Sequence, residues 1–230
     1  MAPQTSLISN LSEYGEPLET DLVGIDSEYD RIAKRISMTN AYMIENIAFT
    51  PTADLALTTL IRPKNNIPSV QVEGGWMMTH GIGLLENKSD GKIAQLLIDE
   101  PNSYYPDPFD IVVSPDGKKA FVSSSGVDVI SVIALDSLRN LLETSTQSEL
   151  DQLANDLGAS RNYIIGRIKT GSGPKGMAVS PDGNQLYVAE QLEERGVGVA
   201  EPAVDDEHQR DHADILVEPR VDNQRLERLR

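Results

Sequence analysis

The chain of 230 residues contains no cysteine. This excludes disulfides, thiolate nucleophiles, cysteine-ligated zinc or iron–sulfur sites, and the Cys-x-x-Cys-His attachment of c-type haem. It leaves the compartment open. Positive charge is scarce: 20 Lys and Arg stand against 36 Asp and Glu, a net charge of −16. Phosphate backbones and anionic lipid surfaces need clustered cations, so neither nucleic acid nor a membrane surface is an expected partner. No run approaches the roughly 18 apolar residues of a membrane span. The start, Met1 to Leu7, has no basic and no apolar segment of the kind a signal peptide carries. No Gly-x-Ser-x-Gly, Walker or dinucleotide fingerprint occurs. The residues therefore point to no catalytic group and no cofactor. An apolar share of 39% is nevertheless too high for full disorder.

What the chain does contain is a repeat. Three segments align, beginning at Ile47, Ile111 and Met177, each a short apolar strand, a proline-led turn and a second apolar strand. The turns are Thr50-Pro51-Thr52-Ala53, Ser114-Pro115-Asp116-Gly117 and Ser180-Pro181-Asp182-Gly183. Proline supplies φ near −65°, Asp bonds its own backbone, and Gly accepts the positive φ that closes a hairpin. The first copy lacks the glycine, so a looser turn or one of another type is expected there. Pairs of alternating segments precede the hairpins: 23–26 with 32–36, 82–85 with 92–97, and 129–133 with 163–168. Period-two alternation rich in Val and Ile is a strand signal. Four strands per unit is the grammar of a propeller blade.

These motifs resemble the YVTN-type β-propeller repeat family, also described as lactonase-like or surface-layer-type. The matching residues are Gly173-Pro174-Lys175-Gly176, the Ser180–Gly183 turn, Leu186-Tyr187-Val188-Ala189-Glu190, Ala120 to Ser124, and Val129 to Ile133. Ala189 and Glu190 replace the Thr and Asn of the family motif. The resemblance covers about residues 20 to 192. It implies an all-β fold, a partial β-propeller of about three four-stranded blades. Relatives in the family look like lactonase-type hydrolases, or like propellers joined to c-type haem domains, and are mostly extracytoplasmic.

Two stretches depart from the repeat. Between Ile133 and Tyr163 the spacing turns helical, at Leu138, Leu141 and Leu142 and again at Leu150, Leu153, Ala154 and Leu157. Thr146 to Glu149 reads as a capping box and Gly158 as a helix stop. A helical insert over about 136–160 is expected, as a rim decoration or a partner-docking lid. From Arg195 onward the composition changes: every lysine lies before this point, and no Ser, Thr, Lys, Met, Phe, Tyr or Trp follows it. Residues 195–230 read as a solvated tail or as the product of a reading-frame shift. The propeller, over residues 1–194, then looks incomplete and is expected to self-associate, to pair with another protein through open blade edges, or to be a fragment of a longer protein.

Candidate site residues are few. Trp76 and His80 flank a Gly/Met-rich stretch that could line a pocket at the propeller mouth or plug its channel. Tyr104, Tyr105, Asp107 and Asp110 lie in a Pro-rich acidic segment that could bind a ligand or cation. His208 and His212, at i and i+4 among carboxylates, are a weak candidate metal pair. Gly171 to Gly176 is glycine-rich but enters a strand, so it lacks the helix N-terminus that binds phosphate. The expected function is a non-catalytic binding or scaffold module, a piece of a larger protein. The alternative is the propeller part of an exported lactonase-like hydrolase or c-type haem protein whose catalytic or haem part lies elsewhere.

Overall fold

A computed structural model describes residues 19–63 and 78–191. Trp76, His208, His212 and the 195–230 segment lie outside the described residues. The described chain is built of antiparallel sheets. Strands β1 (Glu19–Asp26) and β2 (Arg31–Thr39) form a two-stranded sheet. Strands β3 (Ile47–Phe49), β4 (Leu55–Pro63), β5 (Met78–Glu86) and β6 (Ile93–Leu97) form a four-stranded meander. A second meander follows with β7 (Pro108–Val113), β8 (Lys119–Ser124), β9 (Val129–Ala134) and β10 (Ile164–Lys169). Strands β11 (Pro174–Val179) and β12 (Leu186–Glu190) form a last two-stranded sheet.

The expected strands are present, but their grouping differs from the sequence reading. Each proline-turn hairpin shares a sheet with the strand pair that follows it. Leu57 of β4 faces Leu84 of β5, and Val122 of β8 faces Ser131 of β9. Sequential strands pair in order within each four-stranded sheet. Strands β4 and β8 are buried almost end to end, because both faces of each four-stranded sheet are covered.

Three apolar layers fill the gaps between sheets. Met38, Ala41 and Leu60 join β2 to the first meander. Leu57, Leu84, Leu96, Ile111, Val122 and Ile133 belong to the largest layer, between the two meanders. Phe121, Ile130, Val132 and Leu186 join the second meander to β11–β12. Gly83 has a packing role here. A Cβ at that position would fall 2.5 Å from the Met38 side chain and 2.7 Å from Thr58.

The turns repeat with the sheets. In the second and third copies the serine hydroxyl donates to the Asp carboxylate, at 2.6 Å from Ser114 to Asp116 and 2.5 Å from Ser180 to Asp182. The glycine N–H returns to the serine carbonyl at 2.8 Å in both, with φ of 70° at Gly117 and 76° at Gly183. The first turn is not looser. Ala53 adopts φ of 54° and its N–H reaches the Thr50 carbonyl at 2.8 Å. Asp54, two residues later than in the other copies, accepts from the hydroxyls of Thr50 and Thr52. Shifting the carboxylate keeps the turn type and puts the strain on alanine, because the left-handed region crowds a Cβ. Successive turns also stack. Pro51 lies 3.5 Å from where a Cβ of Gly117 would stand, and Pro115 lies 3.6 Å from that of Gly183.

Helix α1 (Leu135–Thr144) and helix α2 (Gln147–Leu153) connect β9 to β10. Helix α1 turns Leu138 and Leu142 into the main core, and α2 adds Leu150. The Thr146–Glu149 capping box starts α2. Gly158 does not end it. The helix stops at Leu153, where Asn155 N–H bonds Gln152 and Asp156 N–H bonds Leu153 in tight i→i−3 turns. Lys92 Nζ donates to the carbonyls of Leu142 and Ser145 and so closes the end of α1. Arg139 on α1 ties two turns together, donating to Asp54 at 2.9 Å and to the Gly117 carbonyl at 3.1 Å.

Two outcomes follow from these turns. Ala53→Gly removes the left-handed strain and is expected to raise stability by about 1 kcal/mol, read as a higher urea midpoint at constant slope. The hydrogen bond from Arg139 holds the Asp54 carboxyl well below the usual carboxylate range. Its contribution is therefore present above the unfolded value near 3.8 and is lost as pH falls below it. Arg139→Ala is expected to lower the urea midpoint at neutral pH, with the gap to wild type closing on acidification. A gap that widened in acid would contradict the assignment.

Candidate functional site

The densest polar cluster lies where the first meander hands the chain to the second. Strand β6 ends at Leu97, and residues 98–107 cross to β7. Asp99 is fully buried at this crossing. One carboxylate oxygen accepts from the His80 N–H and the other from the Tyr105 N–H, each at 2.9 Å. The His80 ring Nδ1 lies 3.1 Å from the same carboxylate. With Nδ1–H donating to Asp99, the neutral imidazole keeps Nε2 as its acceptor. Tyr105 stacks beneath Arg167 of β10, whose guanidinium carbon is 3.5 Å from the ring centroid. Arg167 also donates to the Ile98 carbonyl at 2.6 Å and to the Glu100 carboxylate at 2.8 Å. Tyr163, fully buried, donates to the Leu97 carbonyl at 2.7 Å, and burial pushes its phenol pKa up.

The structure thus brings His80 and Tyr105 together through Asp99. Tyr104 is half-buried, and burial raises its pKa. Asp107 sits at φ of 55°, and its carbonyl accepts from the Ser125 N–H. Asp110 is buried on β7, where it joins three sheets. Its carboxylate accepts from the Met177 N–H of β11 at 2.6 Å and from the side-chain amide of Asn46 ahead of β3. Ser123 works beside it, accepting from the Asp110 N–H at 3.0 Å and donating to the Lys175 carbonyl at 2.8 Å.

Sequence reasoning singled out Asp110 and His80 but not Arg167, Tyr163 or Asn46. Each of these acts across more than sixty positions of chain, and no local motif marks such a partner. A separate open groove of about 430 Å³ lies between β2, β6 and α2, lined in part by Thr39, Arg62, Gln95 and Gln147. Arg62 is buried there, donates to Gln95 and to the Thr39 carbonyl, and has its pKa lowered by that burial.

Chemically, the cluster at the crossing is a base without a nucleophile. His80 and Asp99 could hold or pass a proton, but no serine, threonine or lysine hydrogen-bonds the imidazole among the described residues. No group of three or more His, Asp or Glu among them could hold a metal ion. No helix among them is long and apolar enough to cross a membrane.

Among the described residues the fold is all-β, with four antiparallel sheets and two helices. In sequence the chain is 32% identical over 181 residues to hydrazine synthase subunit beta of Kuenenia stuttgartiensis, a match that covers 79% of this chain. The solved structure of Kuenenia stuttgartiensis hydrazine synthase matches with a TM-score of 0.71 at 30% identity, over 75% of this chain and 49% of that one. Over the matched residues the chain is similar to that subunit in sequence and to the solved hydrazine synthase in backbone. The chain spans about half the length of the relative, 47% of it. A hypothetical selenium-binding protein from Sulfolobus tokodaii gives a TM-score of 0.46 at 12% identity, over 73% of this chain and 37% of that one, a likeness too distant to bear on function. No family model matches the chain. The resemblance to YVTN-type repeats rests on the motifs alone.

If Asp99 is the keystone of the crossing, its loss should outweigh that of His80. Asp99→Ala leaves two backbone N–H groups unpaired and is expected to cost roughly 3 kcal/mol. His80→Ala leaves both bonded and is expected to cost about 1 kcal/mol. Urea unfolding of both variants reads the order, and the reverse order would make the imidazole the anchor instead.

Proposed function

We propose that the chain is a non-catalytic β-propeller module that holds other polypeptides, as a β-type subunit within an assembly related to hydrazine synthase. The observation that carries this reading is how the buried carboxylates are used. Asp99 and Asp110 accept from backbone N–H groups of neighbouring segments, which is the work of a scaffold rather than of acid–base chemistry. The relationship to a protein named as a synthase subunit supports association with partner chains. Two strand pairs in half-sheets, side by side with two complete meanders, support the propeller arrangement. In this reading the scaffold expectation and the enzyme-part expectation meet: the module belongs to an enzyme assembly but contributes shape rather than a reacting group.

The test is co-expression of the full chain with the remaining subunits of a hydrazine synthase. Co-elution at a defined stoichiometry, unchanged by His80→Gln, is the expected result. A chain that never enters the assembly would overturn the scaffold reading. Turnover of a small substrate by the purified chain alone, abolished by His80→Gln, would replace it with a catalytic one.

A further inference from the structure

We infer that the groove between β2, β6 and α2 is a binding site for a small monocarboxylate with an apolar body, held through Arg62. The inference stands apart from the scaffold reading, because it rests on one buried charge. Arg62 lines the groove and is 8% exposed. Its Nη1 donates to the Gln95 side-chain oxygen and to the Thr39 carbonyl, both neutral groups. Its Nε is shielded from water and has no hydrogen-bond partner. None of the ion pairs among the described residues includes Arg62. Burial lowers its pKa, and no neighbouring carboxylate raises it.

Other arginines packed into the fold are matched by carboxylates. Arg167 has Glu100 at 2.8 Å, and Arg139 has Asp54 at 2.9 Å. Taking a charge out of water is costly unless a counter-ion offsets it. A buried guanidinium that meets only neutral groups and lines a groove is a receptor for an anion. It is also held in place before any anion arrives. Gln95 accepts from Arg62 through its oxygen, and its amide donates at 3.0 Å to the same Thr39 carbonyl that Arg62 reaches. The planar fork is therefore preorganised.

The rest of the lining selects the ligand. A volume of about 430 Å³ is in the range of small-molecule sites. Buried Ala94 and Ala154 and half-buried Ile93 line the groove beside Arg62 and suit an apolar body. A planar carboxylate matches the planar guanidinium. Asp151, exposed on the same lining, accepts from the Gln147 side-chain amide at 2.8 Å. Its charge opposes a second negative charge on the ligand, as does the net −16 of the whole chain. Phosphate and dicarboxylates are thereby disfavoured, and a monocarboxylate is selected.

The test is urea unfolding of the full chain in sodium butanoate, against acetate, succinate, phosphate and chloride at equal ionic strength. Butanoate is expected to raise the midpoint above its value in chloride, because it binds only the folded chain. Acetate lacks two methylene groups and should bind roughly tenfold more weakly. Succinate and phosphate should also fall below butanoate. Asp151→Asn, at an exposed position, should narrow the gap between butanoate and succinate. Arg62→Gln should abolish the butanoate shift without lowering the midpoint of the ligand-free protein, since it removes an uncompensated charge. A structural ion pair at Arg62 would give the opposite, a lower midpoint, and would overturn the proposal. So would a wild-type chain that butanoate does not shift, including the case where a carboxylate outside the described residues already holds Arg62. A shift that survives Arg62→Gln, or succinate binding as tightly as butanoate to wild type, would overturn it as well.

Discussion

A sheet of strands three to nine residues long, apolar on both faces, cannot bury itself. Every other feature of this protein answers that constraint. Strand β4 is buried along nearly its whole length only because β2 lies over one face of its sheet and the second meander over the other. The same holds for β8, between the first meander and the last hairpin. Stability is therefore shared between neighbours, as in repeat proteins, and no sheet can be assigned its own.

Stacking of the sheets places the first strands β3, β7 and β11 in succession, with β7 touching both of the others. Backbone groups in such a place need partners. Asp110 and Ser123 supply them by reaching from β7 and β8 to β11, and Asp110 reaches back to Asn46. Asp99 does the same at the crossing, with Arg167 and Tyr163 holding the carbonyls of Ile98 and Leu97. A carboxylate that accepts two or three N–H groups is fixed in place and has little freedom to act on a substrate. Among the described residues no group of three or more His, Asp or Glu could hold a metal ion.

The helical insert follows the same logic. It departs from the repeat in sequence, yet it places Leu138, Leu142 and Leu150 in the same layer as Leu57 and Val122. Helix α2 lies against β6, the outer strand of the first meander, and Gln147 donates to the Ile93 carbonyl at 2.7 Å. The insert therefore covers a strand that would otherwise present an open edge.

Local chemistry was legible in the residues. The turns at Ser114 and Ser180, the Thr146 cap and the alternation of the strands depend on neighbours within a few positions. Such contacts form with little loop-closure entropy and leave a pattern in the text. Even there, Ala53 shows the limit, since stacking between turns holds a backbone that alanine by itself disfavours. Which strand pair shares a sheet with which hairpin was not legible, because all the strands are similarly apolar and alternate alike. Nor were the bonds of Asp110 to Met177 and of Arg167 to Ile98, which span 67 and 69 positions. The amino-acid sequence by itself determined the elements, their turns and the absence of cysteine chemistry. Only the tertiary structure decided the grouping of strands and the use of each buried carboxylate, because both depend on which distant backbone is brought within hydrogen-bonding reach.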